Sequence, residues 1–178
     1  MTTSEVPQAE SARRDEPALD ATERDMLEGW LEYHRGTLLW KCSGLTDEQL
    51  KRTAVPSSAL TLLGLLRHLA EVERWWFVTV FSGGTDEGVY GTDEDPDGDF
   101  HFGPDDTYAE ALATWHTEVA ATREAAAGHG LDDLSKGTAR SGQHFNLRWI
   151  YTHMIEEYAR HNGHADLIRE AIDGAAGS

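Results

Sequence analysis

The chain has 178 residues, 32 acidic against 15 basic side chains and a formal net charge of −17. That balance argues against a nucleic-acid partner, because binding a phosphate backbone needs a basic patch. Hydrophobic residues make up 39% of the chain, enough for a real core, and no run of about eighteen apolar residues exists to cross a membrane.

Residues 1–19 are polar, carry Pro7 and Pro17 and show no apolar period, so they read as a disordered N-terminal tail. They contain no apolar h-region of the kind a secretory signal needs. One cysteine, Cys42, excludes an internal disulfide and fits a reducing cytoplasm. Residues 20–178 read as a single domain.

Met26, Leu27, Trp30, Leu31, His34, Leu38 and Leu39 recur at helical spacing, which predicts a first long helix over Thr22–Lys41, capped by Asp20 or Thr22 and closed by Gly44. Thr46 and Gln49 have capping-box spacing and predict a short helical turn. After the Val55–Ser58 linker, a second long helix is expected over Ala59–Phe81, capped by Ser57 or Ser58. Its core stripe is Leu62, Leu65, Leu66, Leu69, Val72, Trp76 and Val80, with His68 beside it. Gly64, one turn earlier, leaves room for close approach of another helix or a ligand.

A long loop, Gly83–Pro104, follows. No Lys or Arg occurs from Trp75 to Thr122, and the acids crowd into Asp86–Asp106. Loops this long are usually functional or mobile. The reading preferred for this acidic stretch is a solvated, solubilising loop. A calcium site is the sharper reading, but DEDPDGDF lacks the EF-hand spacing and its terminal Glu. Phe100 and Phe102 are candidates to pin the loop to the body. A third helix is expected over Thr107–Ala127, capped by Asp105 or Asp106. A second loop spans Gly128–Phe145. A fourth helix is expected over Leu147–Asp173, capped by Asn146 and ended by Gly174. FVTVF is β-rich but continues the second helix in phase. The fold class is therefore all-α: a four-helix bundle whose long middle loops permit crossover connections.

The fourth helix carries the main functional signal. Ile150, His153, Met154, Glu157, His161, His164, Ala165 and Ile168 share one stripe. A carboxylate and imidazoles on an inward face are costly unless paired or metal-bound. Glu157 and His161, one turn apart, can reach one ion, and His68 is the best third ligand from a facing helix. Mixed N/O ligation suits Zn²⁺, Ni²⁺, Fe²⁺ or Mn²⁺. The bland alternatives are a hydrogen-bonded core histidine and a surface Glu–His pair. His153 is an alternative ligand, and His164 is a candidate to orient a ligand or the substrate. Trp75 and Trp76 are candidate pocket walls, with Trp76 read as core. Cys42 has no base in local spacing and does not read as a nucleophile.

The helix-two segment LTLLGLLRHLAEVERWWF, together with RWIYTHMIEEYARHNGHADLIREAIDG, resembles the DinB/YfiT-like superfamily, and within it the DUF664-type branch. The resemblance runs from the first helix to the end of the chain. It implies a four-helix bundle with a metal held by His68, Glu157 and His161, a set similar to that of the mycothiol-dependent maleylpyruvate isomerases. Related members are bacillithiol or mycothiol S-transferases.

The function so implied is a metal-dependent thiol S-transferase or isomerase. Zn²⁺ leads as the ion, with Ni²⁺ as an alternative. A low-molecular-weight thiol such as mycothiol is the co-substrate and a small electrophile its partner. On this reading the bound thiol becomes a thiolate, His164 or His153 relays a proton, and Arg148 or Arg74 clamps a carboxylate. Trp75 joins Arg74 beside the bound thiol. The bland reading of both arginines is surface ion pairing, and for Arg74 it is preferred. Two other functions compete: a non-catalytic metal-binding or stress-related bundle, and a thiol-independent metal hydrolase on the same scaffold. A homodimer through the first helix and the tryptophans is compatible with the sequence.

Overall fold

The computed structural model describes residues 14–85, 87–139 and 142–176. The described residues form five α-helices: α1 (Glu23–Cys42), α2 (Asp47–Leu50), α3 (Leu62–Glu73), α4 (Tyr108–Ala126) and α5 (Leu147–Asp173). Among the described residues there is no strand, only an isolated bridge between Leu134 and Asn146. The expected all-α bundle is what the chain forms. Residues 1–13 of the expected tail lie outside the described residues, and further on Pro17 packs directly against Gly29 of α1.

The caps explain where the helices begin. Thr22 caps α1 by accepting from the Asp25 amide. Thr46 and Gln49 form the expected capping box of α2. The second long helix starts later than expected, at Leu62, because Thr61 and not Ser57 or Ser58 is its cap, accepting from the Gly64 amide at 3.0 Å. Ser58 instead accepts from Leu60, and Ser57 sits at φ 67°, outside any helix. Likewise Thr107, paired with Glu110, caps α4. Asp106, one of the two residues expected there, accepts from the Gly103 amide and pairs with Arg67. Asn146 caps α5, and Gly174 ends it in the left-handed conformation, as the sequence predicts.

At Arg74 the helix continues, but in π form to Phe81. The wider turn hands two carbonyls to the loop before α5: Phe81 O accepts from Lys136 N and Val80 O from Gly137 N, both at 2.9 Å. A Cβ at position 137 would meet Thr79 O at 2.7 Å, so only glycine allows this approach. The β-branched run Val78–Val80 thus stays helical while anchoring a loop.

α1 packs along α5, α4 along α3 and its π continuation, and α3 joins the two pairs through α5. Leu31 and Leu38 of α1, Leu62, Leu65, Leu66 and Leu69 of α3, Val119 of α4, and Ile150, Met154 and Ile168 of α5 are buried together. Each such side chain contributes about 1.5–3 kcal/mol by leaving water. The centre of this core is ionic. Glu73, fully buried, takes two hydrogen bonds from Arg35 and one each from the hydroxyls of Thr122 and Tyr158. Trp115 Nε1 donates in turn to Tyr158. One carboxylate therefore links all four long helices. Burial opposes the charge on Arg35, and the adjacent Glu73 carboxylate more than offsets it, raising the guanidinium pKa above its ordinary value.

Candidate metal centre

His68 lies one turn before Val72 on α3, at the edge of the leucine stripe that faces α5. Glu157 and His161 lie one turn apart on α5. The fold brings the three together: one donor atom from each falls within 4.8 Å of the others. Glu157 Oε2 is 3.4 Å from His161 Nε2, and the rings of His68 and His161 meet edge to face at 4.8 Å. Their side chains are 24%, 16% and 12% exposed, respectively.

Each histidine has its Nδ1 already engaged. His68 Nδ1 lies 2.7 Å from Asp99 Oδ2, and His161 Nδ1 lies 3.4 Å from His164 Nδ1. With Nδ1–H of His68 donated to a carboxylate, its Nε2 is left as the bare lone pair, the arrangement that metal-binding histidines use. Burial, followed by the neighbouring His68 and His164, pulls the His161 pKa down to about 4. The imidazole is then neutral at ordinary pH, which is the form that binds a metal. Two imidazoles and one carboxylate make a donor set suited to a divalent ion such as zinc.

A second group, His153, Glu156 and Glu157, also comes within ligand distance, but Glu156 is exposed and paired with Arg160. His153 stacks on Trp149 at 5.0 Å and meets Trp76 edge to face at 4.6 Å. Its Nε2 lies 3.4 Å from Glu157 Oε1. Glu157 thus stands between His153 and His161. Trp76, read from sequence as core, is half-buried in this aromatic wall with Phe145 and Trp149.

Asp99 is the functional candidate that sequence reasoning missed. It sits in the acidic stretch read as a solvated loop, yet it is only 4% exposed. The loop is strapped to α3. Arg67 donates to the carbonyls of Gly98 and His101 and pairs with Asp106. Glu71 accepts from the amides of Val89, Tyr90 and Gly91. Phe100 stacks on His68 at 5.2 Å. It lies over Gly64, where a Cβ would meet Phe100 Cδ1 at 2.9 Å and Thr61 Oγ1 at 3.1 Å. The close approach at Gly64 is made by this loop ring, and not by the other helix or ligand expected there. Gly64→Ala is expected to destabilise the protein by about 1–3 kcal/mol through overpacking, read as a lower urea midpoint. An unchanged midpoint would mean that Phe100 moves aside freely.

The other expected site residues lie as follows. Arg148, at the start of α5, is held by Glu23 and Asp132. Arg74 donates to both oxygens of Glu118 and to the Glu87 carbonyl. Both guanidinium groups are thus taken up by ion pairs, the bland reading of each. Trp75 lines a cleft of about 1040 Å³ between α3, its π continuation and the acidic loop. Cys42 is buried, and burial pushes its thiol up to about 12, so it is inert as a nucleophile.

The family model described as mycothiol-S-transferase matches residues 26–174. No curated protein matches the chain. The matched span opens in the first turn of α1, ends at the glycine that closes α5, and takes in His68, Asp99, Glu157, His161 and His164. The chain belongs to the mycothiol-S-transferase family, a DinB-like family of helical bundles.

Proposed function

We propose that this protein joins a low-molecular-weight thiol, mycothiol foremost, through its sulfur to a small electrophile at a divalent metal held by His68, Glu157 and His161. The convergence of these three side chains, with both histidines engaged at Nδ1, carries the reading. A bound divalent ion, Zn²⁺ before Ni²⁺, supplies thiolate from a coordinated thiol at neutral pH.

The chain's own residues do the rest. Asp99 and His164 fix the two imidazoles, so that no reorganisation is needed when a ligand arrives. Trp76, Phe145 and Trp149 form an aromatic flank on the His153 side. His153, beside Glu157 and neither ligand nor Nδ1 partner in this arrangement, is the base that takes the thiol proton. Transfer forms a carbon–sulfur bond as the carbon's bond to its leaving group breaks. An epoxide oxygen released in this way takes the proton back. A buried, unpaired Cys42 suits a reducing cytoplasm, and no helix is long and apolar enough to cross a membrane among the described residues.

The test is metal content by plasma mass spectrometry for the wild type and for His68→Ala, Glu157→Ala and His161→Ala, followed by turnover of mycothiol with monobromobimane. Near-stoichiometric metal and thiol transfer in the wild type, both lost in all three variants, are expected. A wild type that takes up neither zinc nor nickel would overturn the reading. So would a metal-loaded protein whose turnover needs no thiol.

A further inference from the structure

Glu157 turns a different oxygen to each of two histidines. Its Oε2 lies 3.4 Å from His161 Nε2, inside the triad, and its Oε1 lies 3.4 Å from His153 Nε2, outside it. The side chain is 16% exposed and has no other side-chain partner among the described residues. His153, Glu156 and Glu157 stand at i, i+3 and i+4 of α5, so one helix face presents all three. One donor atom from each lies within 4.8 Å of the others, and this second set shares only Glu157 with the first. Trp149 and Trp76 hold the His153 ring from the other side. His153 Nδ1 is 4.0 Å from Glu156 Oε2, too long for a hydrogen bond.

An ordinary i,i+4 pair on a helix accounts for Glu157 and His153 alone. It leaves out Glu156, whose carboxylate comes to the same ring even though Arg160 holds it. It also leaves out the division of Glu157 between two imidazoles. A carboxylate that bridges two cations uses its two oxygens in this way. Helix bundles build two-metal centres from carboxylates and histidines on facing helices, and such ions work about 3.5–4 Å apart.

We propose that His153, Glu156 and Glu157 form a second, weaker divalent-cation site, bridged to the first through Glu157, and that an ion there blocks thiol transfer by taking the lone pair of His153. A neutral imidazole has a single lone pair, so a coordinated His153 has none left for the thiol proton. The block rests on the thiol-transfer reading; the site does not. One imidazole and two carboxylates suit Zn²⁺ or Mn²⁺. The site is the weaker of the two for three reasons. Its ion must displace Arg160 from Glu156, it shares a donor with an ion already bound, and that ion repels it. Excess metal thus acts as a brake through a residue that the first ion leaves free.

The test starts from protein carrying one equivalent of zinc, dialysed against rising buffered free zinc, with bound metal counted by plasma mass spectrometry. The wild type is expected to take a second equivalent. His153→Ala and Glu156→Gln should keep the first and lose the second. Glu156 is exposed, so its variant makes the test without disturbing the core. Arg160→Gln releases Glu156 and should fill the second site at free zinc on the order of tenfold lower, the size of one hydrogen bond to a charged group. With Mn²⁺ in place of zinc, the paramagnetic resonance spectrum should show two coupled ions, which an ion elsewhere on the acidic surface would not produce. Turnover of mycothiol with monobromobimane should fall as the second site fills, and Glu156→Gln should keep its basal rate and resist excess zinc. A wild type that stops at one equivalent would overturn the proposal and leave thiol transfer standing. So would a second equivalent that persists in both variants, which would be an adventitious ion only. A second equivalent that leaves turnover unchanged would overturn the block on His153. Two coupled ions in a protein that transfers no thiol at one equivalent would support the site and overturn the function.

Discussion

If His68 ligates zinc as proposed, Asp99→Ala is expected to lower the affinity of the protein for zinc by about 10–100-fold, the usual cost of removing the outer partner of a ligating histidine. The carboxylate is 4% exposed and its Oδ2 sits 2.7 Å from His68 Nδ1. It therefore dictates which ring nitrogen carries the proton. Without it His68 can hold its proton on Nε2, and that tautomer cannot donate a lone pair toward Glu157 and His161. Asp99→Asn should fall between, since an amide accepts the same hydrogen bond without the charge. Competition against a chromophoric chelator at neutral pH measures the effect, with far-UV circular dichroism to establish that the helices persist. Asp95→Asn is the control. Its carboxylate lies in the same loop and pairs with exposed His101, so zinc affinity should not move. An Asp99→Ala protein with wild-type affinity would mean that the Phe100 stack alone aligns His68.

The distribution of legible and illegible features follows from where the determining contacts lie. α5 was readable end to end, because its cap, Asn146, and its terminator, Gly174, act on neighbouring amides and carbonyls. The juxtaposition of Glu157 and His161 was readable for the same reason: one helical turn fixes their spacing. The two misplaced starts, at Leu62 and Tyr108, arose where several hydroxyl or carboxylate residues lay within four positions of each other. Tertiary demands then decided, since Asp106 was claimed by Arg67 from α3. Asp99 had no local signature at all. It is one of many acids in a glycine-rich loop, 31 positions from the histidine it serves. Arg74 and Arg148 were ambiguous because their partners, Glu118 and Glu23, are 44 and 125 positions away. The π form of residues 74–81 left no trace in the hydrophobic period, which stays in phase.

The largest effect on stability is expected at the ionic centre of the core. Glu73→Ala should cost about 3–5 kcal/mol, because it leaves the buried Arg35 guanidinium without its counter-charge. It also strips the hydroxyls of Thr122 and Tyr158 of their acceptor. Replacing both ions, Arg35→Met with Glu73→Leu, should recover most or all of that loss, since two buried charges are costly to desolvate and apolar groups of similar size are not. Urea denaturation of the single and double variants gives the comparison directly. A double variant as damaged as Glu73→Ala would show that the Thr122 and Tyr158 hydrogen bonds, and not the ion pair, hold the helices in register.

The pairing of α1 with α5 has a consequence for how the molecule comes into being. α3 and α4 are neighbours along the chain and can dock as soon as both exist, whereas α1 lies mainly against α5, with α2, α3 and α4 in between along the chain. On the ribosome, where the N-terminal part of a chain emerges first, the burial of Leu31 and Leu38 is complete only once α5 has been synthesised. Closing so long a loop is slow compared with local docking. Two of the three proposed donors, Glu157 and His161, arrive with α5, so a nascent chain short of it holds only His68 of that set.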